Sequence, residues 1–126
     1  MKETKVSYLD NRMLIEEKSY IFDLIYNNIL YITYQDYYTL VFVDKRNEVY
    51  ICQSLKKIMA NLPPDVFFMC NKKTIINLSH VILIGNNGQY FLQLDCNDIQ
   101  INISRRNVTK IKKGFLSLKK SIDERI

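Results

Sequence analysis

The sequence predicts a mainly β domain of small antiparallel sheets packed together, with a short central helix and a C-terminal helix. Runs rich in β-branched and aromatic residues recur every few residues, separated by Asn, Asp and Gly. The helical period appears only near the middle and at the end. No strand alternates with a helix as a βαβ unit would, so a parallel sheet is not expected.

Residues 1–17 show weak periodicity and read as an arm with an edge strand through Met13-Leu14-Ile15. Residues 19–26 are apolar and lead as a strand into a turn at Asn27-Asn28. Residues 29–34 and 38–43 form a hairpin around Gln35-Asp36, because both runs are aromatic and β-branched. A second turn, 44–47, leads to a third strand at 48–52. The period then changes: Leu55, Ile58, Met59 and Leu62 fall on one helical face, with Ser54 as N-cap. Pro63-Pro64 ends this helix, since proline disfavours the helical region for the preceding residue.

Strands follow at 66–70, 74–77, 81–84 and 89–94, the last two joined by Gly85-Asn86-Asn87-Gly88, whose residues tolerate positive φ. Residues 98–103 alternate, with Ile99, Ile101 and Ile103 on one face. Val108, Ile111, Phe115, Leu118 and Ile122 mark the second amphipathic helix, with Ser104 as its candidate N-cap. Gly114 inside it costs about 1 kcal/mol relative to alanine, which predicts fraying or an end near there.

A chain of 126 residues makes one domain with one real core. It has no apolar run long enough for a membrane span. The polar start has no apolar segment of the kind a secretion signal needs. Cys52, Cys70 and Cys96 are odd in number and far apart, which reads as reduced thiols in a cytoplasmic protein. The net charge is +5 and unevenly placed. Residues 105–126 hold eight bases and two acids, a net of +6, leaving −1 for the rest. Charge this localised suits a polyanion or an acidic surface.

Little supports catalysis. His80 is the single histidine and reads as a loop residue. Three dispersed cysteines do not make a zinc site. Asp95 and Asp98 could pair as carboxylates, but Asp and Asn in a hairpin turn are ordinary. Three glycines build no phosphate cradle. No catalytic, cofactor-binding or metal-binding residue is assigned, and an enzyme is not expected.

Two basic clusters stand out. Arg105-Arg106 opens the last helix, where the backbone already carries partial positive charge and acids would be expected. The pair makes sense if an anion sits there, because free N–H groups plus two guanidiniums suit phosphate. Asn71-Lys72-Lys73 joins two apolar strands and could combine base and phosphate contacts, although polar residues between strands are also ordinary. The aromatic turn at 35–39 is a third candidate region. Lys112, Lys113, Lys119 and Lys120 read as a solvated face or a weak phosphate footprint.

These residues resemble the LytTR-type DNA-binding domain of bacterial response regulators, from about residue 28 to 119. Ile29-Leu30-Tyr31-Ile32 is similar to the opening strand of that family, with Thr33 where an acid is usual. Ser54-Leu55-Lys56-Lys57-Ile58 is similar to its short helix. Residues 62–81 and Ile103-Ser104-Arg105-Arg106-Asn107-Val108 resemble its two longer motifs.

The resemblance implies an elongated sandwich of small antiparallel sheets. It divides the chain into an N-terminal arm and edge strand at 1–27, the domain at 28–120 and a tail at 121–126. It implies a transcription regulator that contacts double-stranded DNA at direct-repeat promoter sites, through loops and a helix start in the major groove. Two protomers would occupy the repeat, with a receiver domain or RNA polymerase as further partners. Carried over residue by residue, the contacts fall on Tyr38 or Thr39, on Asn71, Lys72 and Lys73, and on Arg105 and Arg106. The departure at 71–73 implies a preferred base sequence of its own: asparagine reads adenine, and lysine contacts guanine or phosphate. The rival readings are a protein-interaction module or anti-activator without DNA affinity, and a single-stranded RNA binder that stacks bases on tyrosine.

Overall fold

The computed structural model describes residues 4–44, 47–96 and 99–124. The N-terminal segment is more ordered than an arm. It forms β1 (Lys5–Tyr8), β2 (Arg12–Glu16) and β3 (Ile21–Ile25), an antiparallel sheet in the order β1-β2-β3. Met13-Leu14-Ile15, expected at an edge, lies in the middle strand. Met13 and Ile15 are fully buried, and Val6, Tyr8, Phe22 and Leu24 pack beside them on the same core. The short strands alternate these residues with charges, which conceals the sheet in a longer sequence window.

A 3-10 turn at Tyr26–Asn28 leads into the largest sheet. This contains β4 (Tyr31–Gln35), β5 (Tyr38–Phe42), β6 (Glu48–Ile51), β7 (Phe67–Asn71) and β8 (Thr74–Asn77), in the order β6-β5-β4-β8-β7. The β4–β5 turn is Asp36-Tyr37, one residue later than expected, with φ of 50° and 71°. Two left-handed residues match the twist of a two-residue hairpin. The predicted turn at 44–47 includes Lys45 and Arg46, which lie outside the described residues. Between β6 and β7 runs α1 (Leu55–Asn61), and the Ser54 hydroxyl accepts from the Lys57 N–H at 3.2 Å as its N-cap.

All four residues of β8 are buried, because both faces of the sheet are covered. Ile75 packs with Ile32, Val41 and Ile58 on one side, and Ile76 packs with Leu78, Leu92 and Ile111 on the other. Each fully buried aliphatic side chain contributes about 1.5–3 kcal/mol. Asn77 is buried but satisfied: its amide donates to the Tyr26 and Ile29 carbonyls, and its oxygen accepts from Ser79.

The third sheet comprises β9 (Val81–Asn86), β10 (Tyr90–Leu94) and β11 (Gln100–Asn102), in the order β11-β10-β9. Gly85 belongs to β9 and makes room for the Phe91 ring, which a Cβ there would meet at 2.7 Å. The positive φ falls on Gly88, at 106°. Asp98 lies outside the described residues. Asp95 contacts His80, whose Nδ1 lies 3.0 Å from the carboxylate while Nε2 faces the Asn27 carbonyl. The single histidine thus joins three chain segments.

The last helix, α2 (Arg105–Glu124), continues through Gly114 without ending. A Cβ at Gly114 would meet Phe68 Cζ at 2.6 Å, so glycine is there to let β7 approach.

Candidate nucleic-acid interface

The β7–β8 turn is built by Asn71. Its Oδ1 accepts from the Lys73 N–H at 2.9 Å, and its Nδ2 donates to the Asn102 carbonyl at 2.9 Å. The amide expected to read a base is therefore engaged within the protein. Asn71 fixes the turn and ties it to the end of β11, while Lys72 and Lys73 stay exposed.

The start of α2 is held to the same strand. The Ser104 N–H donates to the Cys70 carbonyl at 2.9 Å, and its hydroxyl donates to the same oxygen at 3.4 Å. Asn107 Nδ2 donates to Ser104 Oγ at 2.7 Å, so this hydroxyl organises side chains around the helix start. Arg105 and Arg106 project into solvent from the first turn. Between the two clusters lies Cys70, fully buried, its thiol pushed up to about 12 by burial. It is a packing residue here.

The β4–β5 hairpin joins through a shared acceptor. The Lys73 carbonyl accepts from the Tyr34 N–H at 2.8 Å and from the Thr33 hydroxyl at 3.1 Å. Of the residues expected to contact DNA from this hairpin, Thr39 is only 2% exposed and its hydroxyl donates to the Gln53 carbonyl at 2.7 Å. It supports the strand from inside. Tyr38 is half-exposed and meets Tyr50 edge to face, with ring centroids 5.8 Å apart. The residue that projects is Tyr37, 84% exposed at the turn. Two residues separating two strong strand runs are the signal that could have found it, because such a turn sets both side chains outward.

Along α2, Arg106, Lys110, Lys113 and Lys120 recur at intervals of four, three and seven, and all are exposed. This spacing places them on one helical stripe about 21 Å long. The opposite stripe, Val108, Ile111, Phe115 and Leu118, packs into the core. Lys112 turns aside to lie over the Tyr90 ring, 5.0 Å from its centroid, and Lys119 donates to the Ser79 carbonyl at 3.3 Å. The chain thus presents two turns and a helix start, joined by main-chain bonds, with a cationic track leading away from the helix start. Such a surface can hold a polyanion while offering donors to base edges. Among the described residues no helix is long and apolar enough to cross a membrane.

No sequence among curated proteins matches the chain. A solved structure with the same fold is the LytTr DNA-binding domain of a protein from Bacillus cereus described as a methyl-accepting/DNA response regulator. Its TM-score is 0.71 at 18% identity, covering 84% of this chain and 97% of that one. The architecture of three small antiparallel sheets and two helices is therefore that of a LytTr domain. The family itself matches over residues 19–115, from just before β3 to the middle of α2. That span contains both turns and the helix start described above, and the chain belongs to the LytTr DNA-binding domain family.

Proposed function

We propose that this protein is a sequence-specific transcription regulator that contacts direct-repeat sites in duplex DNA. Arg106 and Lys72 contact base edges, Arg105 and Lys73 hold phosphates, and Tyr37 and Tyr38 supply a third contact from the β4–β5 turn. Asn71 fixes the β7–β8 turn, and Thr39 supports β5 from inside. The observation that carries this reading is the double use of one strand pair: the Cys70 carbonyl holds the helix start and the Lys73 carbonyl holds the hairpin. Three separate segments are therefore held in one arrangement, which the reading of several bases requires. Two protomers on one duplex, a cytoplasmic setting, and a receiver domain or RNA polymerase as further partners belong to the same reading.

The test is selection from random duplex DNA with the purified chain, followed by affinity measurements for selected and scrambled sites over a salt series. A selected direct repeat is expected. Arg106→Ala should cost roughly 1–3 kcal/mol on that repeat and relax the preference at one base position. Binding that is blind to sequence and disappears near physiological salt would reduce the basic surface to a phosphate footprint.

A further inference from the structure

The N-terminal sheet differs from the rest of the chain in charge. Residues 1–25 hold four bases and five acids, a net of −1, so the remainder carries +6. Two copies of the chain therefore repel over most of their surface and least over this sheet. Its outward side is also apolar: Tyr20 is 65% exposed, Ile21 71% and Ile25 38%. The charges among them cancel locally, Arg12 Nη1 lying 2.8 Å from Asp23 and Lys5 Nζ 4.0 Å from Glu16.

The edge of the sheet is unguarded. Among the described residues β3 pairs with β2 only, in an unbroken register of five residues. Native edges are commonly protected by lysine, proline or a bulge. β3 reads Ile21-Phe22-Asp23-Leu24-Ile25 and has none of these, and Arg12 neutralises its one charge. The strand is already ordered from beneath, since Phe22 and Leu24 pack on the core beside the buried Met13 and Ile15. Pairing there would cost little further ordering.

We propose that β3 is a homodimerisation strand: the same strand of a second copy pairs antiparallel along this edge, giving one continuous six-stranded sheet. Pairing centred on Asp23 sets Ile21 of each copy against Ile25 of the other, with the two Arg12–Asp23 pairs meeting at the axis. This two-fold contact is distinct from any contact between neighbours on a direct repeat, which are related by translation along the duplex.

The test is sedimentation equilibrium of the full chain without DNA, up to roughly millimolar concentration, the weak end of specific affinities. The expected result is a mass that doubles with concentration and does not fall when salt is raised. Ile21→Lys, and separately Asp23→Lys, should restore the monomer. Both positions are exposed, so an unchanged unfolding midpoint in either variant shows that the fold survives. The variants should keep wild-type affinity for a single DNA contact site. A wild type that is monomeric throughout, or a dimer that persists in both folded variants, overturns the proposal. Absence of DNA binding by the wild type would count against the regulatory reading and leave this pairing standing.

Discussion

Asn71 Nδ2 donates to the Asn102 carbonyl across 31 residues of sequence, joining the β7–β8 turn to the strand that feeds α2. Its other amide atom holds the Lys73 N–H. Asn71→Ala removes both bonds at a partly exposed site, so about 1–2 kcal/mol of stability should be lost in denaturant unfolding. DNA affinity should also fall by similar factors at every base position, because the variant loosens the frame. A loss confined to one base position would instead make Asn71 a reader.

Tyr37 sits at a φ of 71° with its ring in solvent. A left-handed conformation costs an ordinary residue about 1–2 kcal/mol, partly offset in glycine by entropy. Tyr37→Gly should therefore raise stability by up to about 1 kcal/mol while weakening DNA binding. Opposite signs from one substitution, read by thermal melting and titration with the selected site, separate a contact role from a folding role. Unchanged affinity would remove Tyr37 from the interface.

The lysines of α2 should divide by geometry. Lys113 shares a stripe with Arg106, so Lys113→Ala should reduce the slope of log affinity against log salt by about 0.9. Lys112 lies over Tyr90, so its replacement should change the slope by less than Lys113→Ala does. Equal slopes for the two variants would mean that the stripe is not the phosphate track.

Gly114→Ala pits helix propensity against packing. Propensity alone predicts a gain of about 1 kcal/mol, but the new methyl would meet Phe68 Cζ at 2.6 Å. Displacing that half-buried ring typically costs about 1–3 kcal/mol, so a net loss is expected. Against a Phe68→Leu background the same substitution should become neutral or stabilising, and the double-mutant cycle measures that coupling.

Burial pushes the Tyr8 phenol up to about 12, above its ordinary value near 10. Its hydroxyl donates to Gln53 Oε1 at 2.7 Å. The unfolded chain releases this proton first, so the contribution of Tyr8 is full below about pH 10 and is lost as pH rises through about 12. Cys70 behaves alike from its ordinary value near 9 upward. Unfolding midpoints should stay level from neutrality to about pH 8.5 and decline above it. Tyr8→Phe should flatten the upper part of that decline. In the native protein a thiol reagent should modify exposed Cys52 and spare Cys70 until unfolding.

Both helices could be read from residue periodicity, because each buries one face and that face repeats, whereas the central hairpins were readable as β-branched and aromatic runs, since β8 is buried on both faces. The expected stop at Gly114 did not occur, since Phe68 lies 46 residues away in the chain and a window cannot see it. The N-terminal sheet was obscured by strands of four or five residues whose outward positions carry Lys5, Arg12, Glu16 and Asp23. At the candidate site, Arg105, Arg106, Lys72 and Lys73 were readable as charge clustered at a helix start and at a turn. The duties of Asn71 and Thr39 were not, because an amide or a hydroxyl looks the same in sequence whether it faces DNA or a backbone carbonyl.

The bonds that assemble the site run through the Cys70, Lys73 and Asn102 carbonyls and through Ser104, Thr33 and Asn71. The side chains at 37, 72, 105 and 106 take no part in them. On the proposed reading, the groups that hold the surface together and the side chains that meet DNA are therefore chemically separate. Substitution at 72 and 106 should then change the preferred site, and substitution at 105 only the affinity, without refolding the domain.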